Sequence, residues 1–310
     1  MLRSELRDHA ASIPAAFAAL PPSRVLAALA LTVASYAILV GFDQLAFVYV
    51  GKRLAVWRIV LASFVSYAVA NNVGFALVTG SSVRYRFYSR WGVASGDLSR
   101  IVVFYSVAFW LGLLALGGWS LAFHPHPLLQ TRIPDGVLQG AGALLLFVPV
   151  AYVGICARRR APFAVRGFEV ALPTPGLALA QLALSVADWL LAAAVLHALL
   201  PGEAPHFGVV LGAFLAAQLA GLASHVPGGM GVFEGLMLLA LRGLVPPEHV
   251  ISSLLVYRAL YYLLPLTLAL AILIADEVRL RRRHIARVGA VFGSFTTLLA
   301  PKLLAVFTFL

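Results

Sequence analysis

The chain has 310 residues, of which 62% are hydrophobic and only 11% charged, with a net charge of +11 and a mean hydropathy of +0.94. A soluble domain of this length does not carry so little charge, and basic residues gathered at the ends of apolar segments fit anionic lipid headgroups better than nucleic acid. The expected fold class is an all-α polytopic membrane protein, with a single transmembrane domain over 25–310 behind a short cytoplasmic N-terminal segment, 1–24.

Residues 1–24 contain Glu5, Asp8 and several prolines, and no basic region leads into a short apolar core, so no cleavable signal is expected. Spanning helices are expected at 25–49, 55–79, 101–123, 137–156, 176–200, 250–275 and 288–310, in apolar windows suited to crossing ~30 Å of hydrocarbon. The last window carries Lys302 and stops at Leu310 without a polar tail, as expected of a fragment of a longer protein or of a segment packed on a partner.

Basic residues set the expected orientation, a multi-pass protein of the bacterial inner membrane with a cytoplasmic N-terminus. Inner loops then hold Arg84, Arg86, Arg90 and Arg100, then Arg158, Arg159, Arg160 and Arg166, while Lys52, Arg53 and Arg132 lie outside. The cluster Arg279, Arg281, Arg282, Arg283 and Arg287 belongs inside by the same rule. Span 176–200 exits and 250–275 returns, so 207–243 must begin and end outside. A re-entrant helical hairpin satisfies that parity, and so would two short full crossings.

The break in that hairpin is Ser224-His225-Val226-Pro227-Gly228-Gly229-Met230-Gly231-Val232-Phe233-Glu234. Pro227 cannot continue a helix, and the glycines admit positive φ. Irregular backbone at membrane depth survives only inside protein or beside a water-filled cavity, and in transporters it marks the cargo site. Gly228, Gly229 and Gly231 would offer amides to a phosphate or carboxylate at the start of the returning half-helix. His225 is a ligand to a phosphate oxygen or a structural histidine; Glu234 is a cap, a dipole partner or a contact for a cationic headgroup.

A second polar stretch runs from Asn71-Asn72-Val73-Gly74 to Thr79-Gly80-Ser81-Ser82-Val83-Arg84-Tyr85-Arg86. Asparagines at membrane depth are costly unless bonded. Ser81 and Ser82 offer hydroxyl donors, and Arg84 and Arg86 suit phosphate through their planar forks, although a positive-inside loop with an aromatic belt explains the arginines equally well. Both stretches are polar, glycine-bearing breaks after an apolar helix, the pattern of two related halves that meet near the membrane centre. Asp188 and Arg258 are intramembrane charges at depths about 6 Å apart, expected to form a structural or cargo-gating ion pair. Asp43, beside Lys52 and Arg53, is expected at the interface.

No P-loop, H-E-x-x-H, G-x-S-x-G or zinc-spaced Cys/His set occurs, so no catalytic residue and no cofactor are expected. His124 and His126 lack a third ligand for a metal, and the only cysteine, Cys156, has no internal disulfide partner.

The two polar stretches together, with Ser89-Arg90-Trp91-Gly92, resemble the membrane region of the lysylphosphatidylglycerol synthase/flippase family. Full-length members are similar to a flippase membrane domain followed by a cytosolic aminoacyltransferase domain. The resemblance implies the translocase part without the transferase, hence a lipid translocase for an anionic or aminoacylated phospholipid such as lysylphosphatidylglycerol. It implies membrane phospholipid as ligand, an aminoacyl-lipid synthase as candidate partner and no nucleic acid. Two other readings stand beside it: the membrane half of a phosphatidylglycerol aminoacyltransferase, and a non-catalytic anchor for a partner enzyme.

Overall fold

The computed structural model describes residues 13–73, 76–126, 133–158, 163–165, 168–201 and 205–280. The expected span at 288–310 and most of the N-terminal segment lie outside the described residues. The chain divides into two units, Met1–Leu266 and Thr267–Leu310; of the second, 267–280 are described and are helical.

A short α1 (Ile13–Ala18) precedes α2 (Pro22–Tyr49), α3 (Val56–Val73), α4 (Ala76–Arg90), α5 (Ser95–Phe123) and α6 (Asp135–Arg158). A three-residue antiparallel pair, β1 (Phe163–Val165) and β2 (Phe168–Val170), leads into α7 (Pro175–Leu199), α8 (Phe207–Ala223), α9 (Val232–Ala240) and α10 (Pro247–Leu280). Proline opens α2, α7 and α10, where its missing N–H has no intrahelical partner to lose. Among the described residues, α2, α3, α5, α6, α7 and α10 are long and apolar enough to cross a membrane. The expected all-α polytopic architecture holds.

The helix ends fall on two faces. On the first, Arg24 at the start of α2 donates to the Leu200 carbonyl just past α7, and Ser253 early in α10 donates to the Leu199 carbonyl at 2.7 Å. On the second, Tyr49 at the end of α2 donates to the Ala171 carbonyl ahead of α7 at 2.5 Å, and Lys52 sits 3.6 Å from Asp97 at the start of α5. Helices α2 and α7 therefore run antiparallel. Small residues permit such close packing: a Cβ on Gly118 of α5 would stand 2.8 Å from the Gly142 carbonyl of α6.

The expected hairpin over 207–243 is present. Phe214 and Phe233 of its two arms stack edge to face at 5.6 Å, and both ends lie on the first face, Gly208 beside His124 and Ala240 hydrogen-bonded to His126. The expected single crossing at 55–79 is corrected. Helix α3 ends at Val73, and α4 brings the chain back: Trp57 and Trp91 meet at 6.0 Å on the second face, and Gly80 lies against Ala70 near the tip. The connection at 74–75 lies outside the described residues. Each half of the unit thus reads helix, hairpin, helix (α2, α3–α4, α5 and α7, α8–α9, α10), and the halves run in opposite senses.

The tips meet at the level of the helix centres. A Cβ on Gly228 would lie 3.4 Å from the Asn72 carbonyl, and Asn72 donates to the Tyr262 carbonyl at 3.2 Å.

Two antiparallel hairpins predict a labelling pattern. In a Cys156→Ser background, cysteines at positions 53 and 94 should react with a membrane-impermeant reagent from one side, and cysteines at 206 and 244 from the other. Reaction of 53 and 94 from opposite sides would restore the single crossing.

Candidate functional site

The tip of the second hairpin is a 3-10 turn over Pro227–Gly229 with left-handed φ at Gly228 (59°) and Gly229 (64°), conformations that suit glycine. A Cβ at Gly229 would come within 3.2 Å of the Gly221 Cα, so this glycine also lets the two arms close on each other. His225, itself at φ 56°, is exposed, and its Nδ1 lies 2.9 Å from the Ala223 carbonyl. Residues 222–227 and Met230 are all exposed.

Arg258 holds this tip. Its Nε donates to Glu234 Oε1 at 2.6 Å and its Nη1 to the Gly228 carbonyl at 2.7 Å. Glu234 Oε2 accepts from the Gly231 amide at 2.6 Å, so one carboxylate caps α9 and fixes the arginine together. The guanidinium lies 4.4 Å from the Tyr262 ring centroid and 5.3 Å from that of Phe233. Its Nη2 is buried and has no hydrogen-bond partner. Arg258 begins a π-helical turn, Arg258–Leu263, a local irregularity that often marks a functional position.

The first half carries a parallel arrangement. Arg84 Nε donates to both Asp43 oxygens at 3.1 Å, and Tyr88 donates to Asp43 Oδ2 at 2.8 Å. The Arg84 guanidinium lies 4.3 Å and 4.2 Å from the rings of Tyr67 and Tyr105, and its Nη2 also lacks a partner. Exposure separates the two centres. The Arg84 and Asp43 side chains are 2% and 0% exposed, those of Arg258 and Glu234 15% and 17%. Arg84 is sealed in protein, whereas Arg258 remains partly accessible.

These contacts revise several expectations. Asp43 is buried rather than interfacial, because Arg84 and Tyr88 satisfy its charge. Arg84 consequently cannot meet a headgroup from the surface. Arg258 pairs with Glu234 and not with Asp188: the Glu234 carboxylate is delivered by the hairpin, and Asp188 instead accepts from Ser35 at 2.9 Å. Asn71 hydrogen-bonds Tyr36, and Asn72 bonds the Ala68 and Tyr262 carbonyls, so both hold the inter-hairpin contact. Ser81 pairs with Tyr105 at 3.0 Å, while Ser82 and Arg86 are exposed on α4. Among the described residues no cluster of three or more His, Cys, Asp or Glu could hold a metal.

With two hairpin tips and an anchored arginine defined, the comparisons with known proteins decide the family. The family model described as "Lysylphosphatidylglycerol synthase TM region" matches residues 9–269. The chain belongs to this family. It is 35% identical to the Synechocystis sp. protein slr0712 over 289 residues, covering 91% of this chain and 89% of that protein. It is also 33% identical to the inner membrane protein YbhN of Escherichia coli over 253 residues, covering 79% and 78% respectively.

The sealed pair should matter to stability. Asp43→Asn or Arg84→Gln leaves a buried charge uncompensated and should destabilise the protein by roughly 3–5 kcal/mol. Replacing both with apolar residues should cost less than the sum, read from thermal unfolding in detergent. Additive losses would mean that the two side chains act independently.

Proposed function

We propose that this chain is a phospholipid translocase of a bacterial inner membrane, acting on phosphatidylglycerol or its aminoacylated derivative. The observation that supports it is the broken backbone at 224–231, with Ser224 and His225 exposed and Gly228 and Gly229 partly so, placed level with the middle of the spanning helices and beside the partly accessible Arg258. Bare backbone at that depth is tolerated only where water or a polar ligand reaches it. A headgroup phosphate is the ligand that a partly accessible guanidinium recognises, and phosphatidylglycerol is the lipid class named by the family.

The proposed orientation follows from the corrected hairpin. Lys52, Arg53, Arg90, Arg100 and Arg158 gather on the second face, against Arg24 and Arg242 on the first. By the positive-inside rule the second face is cytoplasmic, which places the start of α2 outside, opposite to the expectation from sequence. The hairpin α8–α9 then enters from outside, as expected, and α3–α4 from inside. Their opposed tips would place a polar zone between the leaflets, suited to passing a headgroup while its acyl chains stay in lipid.

Arg258→Gln and Glu234→Gln should each slow the movement of fluorescent phosphatidylglycerol in proteoliposomes by about tenfold or more, the loss expected for one charge-assisted hydrogen bond. Dithionite accessibility of the probe measures this. Wild-type rates in both variants, at equal insertion, would overturn the reading.

A further inference from the structure

Among the described residues three carboxylates lie deep in the helical unit, and two of them have a cation. Asp43 holds Arg84 and Glu234 holds Arg258. Asp188, at the centre of α7, accepts a hydrogen bond from Ser35 Oγ at 2.9 Å and has no ion pair among the described residues. Ser35 is buried, and its Oγ also lies 2.9 Å from the Tyr261 hydroxyl. Asp188 itself is only partly covered. We propose that Asp188 is a proton-binding site whose occupancy reverses the hydrogen-bond chain Asp188–Ser35–Tyr261 and so acts on the π-helical turn that carries Arg258.

The first step is the cost of the charge. An isolated carboxylate at membrane depth is strongly disfavoured, and one hydroxyl donor does not replace a cation. The groups that face it among the described residues are neutral: Ser35 and Tyr36 on α2, Tyr67 on α3, and Tyr261 on α10. Tyr105 of α5 faces Arg84 instead. Arg84 and Arg258 each already neutralise another carboxylate. The remaining way to remove the charge is to take up a proton.

The second step is the direction of the bonds. An ionised carboxylate only accepts, so Ser35 must donate to it, and the Tyr261 hydroxyl must then donate to Ser35. A protonated Asp188 can donate to Ser35, which frees Ser35 to donate to Tyr261. Proton uptake thus turns Tyr261 from donor to acceptor. Tyr36 donates to the Tyr261 carbonyl at 3.3 Å, and the Tyr262 ring lies under the Arg258 guanidinium. The switch therefore sits one residue from the surface that supports the arginine. Its coupling to lipid movement rests on the translocase reading, but the proton site does not.

Infrared spectroscopy of the full chain in phosphatidylglycerol nanodiscs tests the site without a transport assay. The protein should show, near neutral pH, the carbonyl stretch of a protonated, water-shielded carboxyl, absent from Asp188→Asn and present in Asp188→Glu. Ser35→Ala should keep the band and shift its frequency, because the partner hydroxyl is gone. A wild-type protein without the band, or with a band that persists in Asp188→Asn, would overturn the proposal; the first result is also what a bound sodium or ammonium ion would give. A second measurement separates the two readings. Band present but no phosphatidylglycerol movement by the wild type would sink the translocase and leave the proton site standing. Movement without the band would do the reverse.

Discussion

Everything in this fold follows from the price of breaking a helix inside hydrocarbon. The broken backbone of the second hairpin leaves groups that lipid cannot satisfy. The structure answers by joining the tips. Asn72 reaches the Tyr262 carbonyl, Arg258 takes the Gly228 carbonyl and Glu234 takes the Gly231 amide. Such a knot needs side chains from α3, α9 and α10 together. Neither hairpin could be left at that depth without the other half, and the inverted order of the halves places the tips level.

The two arginine centres show how one arrangement can be used for opposite ends. Both have a carboxylate on Nε, aromatic rings around the guanidinium and a buried Nη2 without a partner. At Arg84 the carboxylate accepts from both Nε and a tyrosine, and almost no surface remains; the spare N–H is buried. At Arg258 the aromatic enclosure is looser and the side chain keeps some exposed surface, although its own Nη2 is buried. Burial, not residue type, separates the sealed ion pair from the partly accessible one here. Arg84 of the first motif is thereby explained by its pairing with Asp43, while Glu234 of the second motif is held by Arg258 and the Gly231 amide.

Much of this was legible in the sequence, for identifiable reasons. Pro227 and its glycines interrupt an apolar run with residues that have no other use there, so the second hairpin announces itself. The first does not. After Asn71-Asn72 the chain returns at once to Phe75-Ala76-Leu77-Val78, and hydropathy reads one continuous span through a turn. That missed turn changes the parity of α2 relative to every later helix, so the proposed orientation reverses the start of α2 and leaves the later helices in their expected sense. Asp43 was misplaced because its partner stands 41 residues away and nothing local marks the pairing. Arg258 had a visible clue in Tyr261 and Tyr262, which fall three and four residues on and so on its own helix face.

The uncompensated Asp188 gains its meaning from the same comparison. A protein that neutralises two interior carboxylates with arginines, each held by aromatic stacking, has the means to neutralise a third. It instead supplies Ser35, a group that can donate or accept and therefore tolerates either protonation state. A fixed cation would hold Asp188 permanently charged; a hydroxyl leaves the choice to the environment. Because Ser35 sits between α2 and the π-helical turn of α10, that choice is felt on both inverted halves. On that proposal, the packing places a variable charge where the halves meet.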